Sequence, residues 1–203
     1  MKRAREYRAL ARETLGHSIF GTKWMYALLA YLVCSLLLGA ISAVGVGILG
    51  LLVAGPLSYG LISVFLRIKR NEDEKADVGH LFDGFKDKFG ESVVTILLSE
   101  IFIFLWTLLF IIPGIIKSYA YSAAMYLVRE RNLEGNEAIT ESRKLMKGNK
   151  WKLFCLDLSF IGWYIVGLLC LGVGVLWVHT YHEAARTHFM EDILNNQIIV
   201  EVK

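Results

Sequence analysis

Residues 24–66 read WMYALLAYLVCSLLLGAISAVGVGILGLLVAGPLSYGLISVFL, and not one of them is Asp, Glu, Lys or Arg. The hydrocarbon core of a bilayer is about 30 Å thick and a helix rises about 1.5 Å per residue, so about 20 apolar residues cross it. This stretch is long enough for two crossings. A soluble domain of 203 residues has too little interior to hide a helix of that length. Two further runs have the same character: residues 92–128 carry only Glu100 and Lys117 as charges, and residues 153–178 carry only Asp157. The whole chain is 55% hydrophobic and 20% charged, with a mean hydropathy of +0.48.

Each run is broken near its middle, by Gly45-Val46-Gly47, Ile112-Pro113-Gly114 and Gly172-Val173-Gly174. Glycine and proline are the strongest local helix breakers. Backbone groups freed at a turn must be satisfied by protein or water, so each run reads as a helical hairpin turning near the far surface. The fold class expected is all-α: a polytopic membrane helical bundle with helices over roughly 23–43, 47–69, 91–111, 115–130, 151–170 and 175–194. The fourth and sixth are short or polar at their ends, and five full spans is the rival count. The chain divides into an amphipathic segment 1–22, hairpin 23–69, loop 70–90, hairpin 91–130, amphipathic helix 131–150, hairpin 151–194 and tail 195–203, all in one integral membrane domain.

Charge sets the orientation. Residues 1–23 carry six Lys/Arg against two acids, 67–91 carry six Lys/Arg, and 129–152 carry seven. Basic flanking loops stay on the cytoplasmic side, which places all three segments and the N-terminus there and Lys117 on the opposite side. Ala40-Ile41-Ser42 resembles a signal cleavage site, but the apolar run continues well beyond it, so an uncleaved first span is expected. Charged, helix-prone pieces precede each hairpin at Arg3–Leu15, Val78–Lys88 and Asn136–Lys147. ARETLGHSIFGTKW and SRKLMKGNKWKLF are alike, which suggests a threefold helix-plus-hairpin repeat. Lys23-Trp24 and Lys150-Trp151 read as interfacial anchors. In the third piece Ala138, Ile139, Leu145 and Met146 share one side, suiting the headgroup layer or packing on the bundle.

No phosphate-binding glycine loop, zinc pattern or nucleophile elbow is present. No catalytic residue and no cofactor are therefore expected. Cys34, Cys155 and Cys170 lie in apolar runs and read as small buried hydrophobes. Ala43/Gly47, Gly50/Ala54 and Ala120/Ala124 are small-residue pairs of the kind that lets membrane helices approach closely. His179, His182 and Glu183 share a helical face and form a weak candidate for a divalent metal. Intramembrane ionisable groups are functional suspects by default. Counted back from the turns at about 1.5 Å per residue, Glu100, Asp157, Arg186 and His182 lie about 15 to 22 Å deep, near the level of Ser58, Tyr59, Tyr121 and Ser122. These eight form a candidate polar layer, with a salt bridge expected between Asp157 and Arg186. Arg143, Lys144, Lys147, Lys150 and Lys152 are candidate contacts for anionic lipid headgroups, at about 1 kcal/mol per cation, or a plain positive-inside anchor.

The strings PLSYGLISVFLRI, FDGFKDKFG, FLWTLLFIIPGIIKSYAYSAAMYLV, EAITESRKLMKGNKWKLFCLDLSFIGW and GVGVLWVHTYHEAARTHFMEDI resemble a bacterial integral membrane family, domain of unknown function number 975. The resemblance runs over roughly residues 8 to 194. It implies a bacterial cell membrane protein and no assigned activity. The family often has a proline near Thr180; its absence implies a straighter sixth helix here. Three functions are compatible with this reading. The first is a non-enzymatic envelope component acting through membrane lipids or protein partners, including a second copy of itself, with no nucleic acid partner. The second is a small transporter or channel component using the polar layer. The third is a membrane metalloenzyme built on the histidine cluster.

Overall fold

The structure, a computed structural model, describes residues 2–16, 21–43, 47–70, 78–109, 111–169, 172 and 174–201. Among these residues every regular element is helical. In chain order they are α1 (Ala4–Leu15), α2 (Thr22–Ala43), α3 (Gly47–Arg70), a 3-10 turn (Val78–Phe82), α4 (Asp83–Lys86), α5 (Phe89–Leu109), α6 (Ile111–Tyr121), α7 (Ala124–Arg131), α8 (Gly135–Leu145), α9 (Lys150–Leu158), α10 (Ile161–Leu169) and α11 (Gly174–Glu201). Four helical stretches are long and apolar enough to cross a membrane: Thr22–Ala40, Leu52–Arg70, Phe89–Thr107 and Lys150–Leu169. The fourth and sixth expected helices are not among them. The region 115–130 is interrupted at Ser122–Ala123, and α11 carries ionisable groups along its length.

The expected turns fare differently. Residues 44–46 lie outside the described residues, as do Val173 and Cys170. Gly172 has φ +77° and donates its N–H to the Leu168 carbonyl at 3.1 Å, the left-handed cap typical of a helix end. The break assigned to Ile112-Pro113-Gly114 is corrected: α6 has already begun at Ile111. Pro113 lies in its first turn, where a missing N–H costs nothing. Gly114 serves close approach, since a Cβ there would come 2.2 Å from Thr107 Oγ1.

The chain packs as two compact units. The first comprises Met1–Leu32, Val64–Val78 and Trp151–Lys203. In it α1 buries Tyr7, Ala11 and Leu15, one helical stripe, against α11. The start of α1 is capped by the Glu6 carboxylate, which accepts the Arg3 N–H at 3.1 Å, and Gly16 ends it at φ +92°. Tyr7 donates its hydroxyl to Asp192 at 2.7 Å and stacks edge-on to Phe189. Burial and that carboxylate push the Tyr7 hydroxyl well above its ordinary pKa, so it remains a donor. Thr14 meets His188 at 2.7 Å, and Lys69 and Arg70 both pair with Glu191. α10 and α11 pack antiparallel; a Cβ on Gly167 would meet the Gly174 backbone at 3.0 Å. α11 runs unbroken through Thr180. Trp24 is not an outward anchor: it is buried, with its indole N–H on the Gly16 carbonyl at 3.1 Å. Trp151 is 70% exposed.

The second unit comprises Val33–Ser63 and Gly79–Lys150. Cys34, Leu57 and Leu81 form one cluster, and Ala120, Tyr121, Ala124 and Ile139 another, closed by Leu98 and Phe102 of α5. Of the two settings open to the 136–147 helix, α8 takes the bundle: Ala138, Ile139, Leu145 and Met146 are buried, and Ser142 donates to the Ala120 carbonyl at 2.8 Å. Backbone meets backbone at three glycines absent from the pairs picked out by spacing. A Cβ would come 2.6 Å from the Ser92 carbonyl at Gly55, 1.8 Å from the Leu81 carbonyl at Gly60, and 2.2 Å from the Pro56 carbonyl at Gly84.

Gly60→Ala must therefore push two backbones apart and is expected to cost about 3 kcal/mol, the upper end for overpacking. Gly162→Ala has open space around its Cβ and should stabilise α10 by roughly 0.5–1 kcal/mol. Thermal unfolding of both variants in mild detergent checks the opposite signs.

Candidate functional site

Along α11, His179, His182, Glu183 and Arg186 recur three and four residues apart, which puts them on one face. The antiparallel α9–α10 arm, turning back at Gly172, lays Tyr164 and Asp157 opposite that face. His182 Nε2 is 2.8 Å from Asp157 Oδ1. The Tyr164 hydroxyl is 3.1 Å from His182 Nδ1 and 3.2 Å from His179 Nδ1. Arg186 Nε is 3.4 Å from the same Asp157 oxygen, and its Nη1 is 3.7 Å from Glu183. The Tyr31 ring lies 4.0 Å from that of His179, and Phe160 stacks on His182 at 4.5 Å.

Donor and acceptor arithmetic orders the chain. A carboxylate only accepts, so His182 donates from Nε2 to Asp157. With a neutral ring its Nδ1 then accepts from Tyr164, whose oxygen accepts from His179 Nδ1–H. The hydrogen bonds run one way, from His179 through Tyr164 and His182 to Asp157.

Of the eight polar-layer residues, the first unit gathers Asp157, His182 and Arg186, including the expected ion pair. Tyr164 was missed; the only signal for it was that it faces His179 and His182 once the chain folds back at Gly172. The metal candidate does not gather as a set. His179 and His182 share the Tyr164 hydroxyl, Glu183 goes to Arg186, and no group of three or more His, Cys, Asp or Glu side chains suited to a metal occurs among the described residues.

In the second unit Glu100, Tyr121 and Ser122 line a cavity of about 190 Å³ with Thr95, Ser99 and Ser118. Ser58 is half-buried on α3, and Tyr59 is buried under the Arg129 guanidinium, 5.6 Å from the ring centre. Among the lipid-contact candidates Arg143, Lys144, Lys147 and Lys152 are exposed and Lys150 is half-buried. Lys144 pairs with Glu141 at 3.0 Å. α8 runs along α5 and α6, and Lys117 rests 4.4 Å over the Trp106 ring.

Asp157 is the shared acceptor of the first cluster. Asp157→Asn should lower stability by about 1–2 kcal/mol, less than a fully buried pair because both partners keep some exposure. In a double-mutant cycle with Arg186→Gln, a coupling of about 1 kcal/mol is expected; additive effects would mean that the pair contributes nothing.

No curated protein and no solved structure matches this chain. Residues 107–197, from the end of α5 through most of α11, match the family model described as Protein of unknown function (DUF975), the same uncharacterised family that the sequence resembles.

Proposed function

We propose that this chain is a multi-pass integral membrane protein of a bacterial cell envelope, with its N-terminus in the cytoplasm. On this reading it acts without catalysis, through contacts with membrane lipids or with other membrane proteins. One observation carries the proposal. Three of the four long apolar stretches, Thr22–Ala40, Phe89–Thr107 and Lys150–Leu169, turn large hydrophobic side chains outward, with Leu36, Phe104 and Leu168 each more than 60% exposed. Soluble proteins rarely expose contiguous apolar patches above a few hundred Å², whereas lipid-facing helices require them.

A second reading, a small transporter or channel component, draws on the one-way chain from His179 to Asp157. Proton-carrying chains of this composition mark ion pathways in membrane proteins.

Alkaline carbonate washing of membranes should leave the protein in the pellet, and detergent should release it. Recovery in the carbonate supernatant would overturn the first reading. For the second, Asp157→Asn should abolish flux in proteoliposomes, and unchanged flux would remove it.

A further inference from the structure

Three arginines of α1, Arg5, Arg8 and Arg12, follow one another at three- and four-residue spacing, so they form a stripe beside the one that docks on α11. They line a cavity of about 500 Å³ together with Trp163 and Tyr181. A second cavity of about 340 Å³ shares Arg12, Trp163 and Tyr181 and is otherwise walled by Gly16, Trp24, Trp177 and Val178. Both volumes fall within the range of about 300–1,000 Å³ typical of small-molecule sites. All these residues belong to the first unit.

The two cavities differ in chemistry. The first is cationic, three guanidiniums against the single carboxylate of Glu13. The second is aromatic and, apart from Arg12, uncharged. Arg12 marks the junction, its guanidinium 5.9 Å from the Trp163 ring centre and 5.7 Å from that of Tyr181. Arg8 is fixed from two directions. Its Nη1 donates to the Ser159 carbonyl at 3.2 Å, and its own carbonyl accepts the Tyr181 hydroxyl at 2.7 Å. Its Nε is buried with no hydrogen-bond partner. An unsatisfied buried donor is costly, and here it belongs to a residue that lines a basic pocket.

We propose that this cleft binds an anionic phospholipid, with the phosphate against Arg5, Arg8 and Arg12 and an acyl chain along Trp24, Trp163 and Trp177. Guanidinium groups suit phosphate because they donate two parallel hydrogen bonds to it. An aromatic wall beside a cationic rim matches the headgroup boundary of a bilayer. None of these residues belongs to the Arg143–Lys152 segment. It rests on the membrane reading above, and names a ligand for it.

The test uses the full chain in mild detergent, titrated with dibrominated phosphatidylglycerol or dibrominated phosphatidylcholine, with tryptophan quenching as the readout. Phosphatidylglycerol should quench at about tenfold lower mole fraction, and Arg5→Gln/Arg12→Gln should erase that preference, two lost cation contacts being worth about a factor of ten or more. Both arginines are exposed, so the variant should keep its melting temperature. Glycerol phosphate at millimolar concentration should not displace the lipid. Equal quenching by the two lipids overturns the proposal. So does a preference that survives in the variant, or one lost instead in Arg143→Gln/Lys144→Gln/Lys147→Gln. Displacement by glycerol phosphate alone would make the site one for soluble phosphate. A protein that quenches equally with both lipids yet resists carbonate washing loses this site and keeps the membrane reading.

Discussion

Helix α11 is too polar to stand alone against hydrocarbon, and the first unit is built around that constraint. From His179 to Asp192 the helix carries three histidines, three acids and an arginine, and an ionisable group in an apolar setting must be paired or neutralised. Glu183 pairs with Arg186 one turn on in the same helix, and the others find partners elsewhere in the chain. Asp157 of α9 takes His182 and Arg186, Tyr164 of α10 takes His179, Lys69 and Arg70 of α3 take Glu191, and Tyr7 and Thr14 of α1 take Asp192 and His188. Between these pairs, Phe160, Phe189 and Met190 supply the apolar filling.

The second unit solves a different problem. If its long apolar helices lie in lipid, as proposed above, there is little hydrophobic drive between them, and close packing has to hold them. Gly55, Gly60 and Gly84 let α3 meet the 78–92 segment backbone to backbone. Ala120 and Ala124 pack with Ile139 of α8, whose apolar stripe is spent on α5 to α7. The charged side of α8, with Arg143 and Lys144, is consequently left outward.

Much of this was legible from residue order. Long uncharged runs declare apolar helices by length alone, and Gly172 marks a reversal because little else accepts a positive φ. Once that reversal is granted, Asp157 and Arg186 must face each other. The rest depended on neighbours distant in sequence. Counting depth at 1.5 Å per residue assumes straight arms, yet one arm breaks at Ser159–Phe160 and another at Ser122–Ala123; of the eight residues counted to one depth, three belong to the first unit and five to the second. Tyr164 looked like one more aromatic in an apolar run. Gly60 looked like any other small residue, because what makes it necessary is the Leu81 carbonyl. The amphipathic pattern of α8 is the same whether lipid or protein covers it.

The docking of α1 on α11 has a consequence for how the chain is made. Tyr7 and Asp192 are 185 residues apart, so the ribosome delivers the first of these helices long before the last. Throughout that interval the tyrosine, alanine and leucine stripe of α1 has no native surface to cover, and neither does the arginine that will hold the Ser159 carbonyl. The contact is a long-range closure, slow to form by its nature. A chain that ends before α11 therefore leaves the apolar stripe of α1, Tyr7, Ala11 and Leu15, without its native cover.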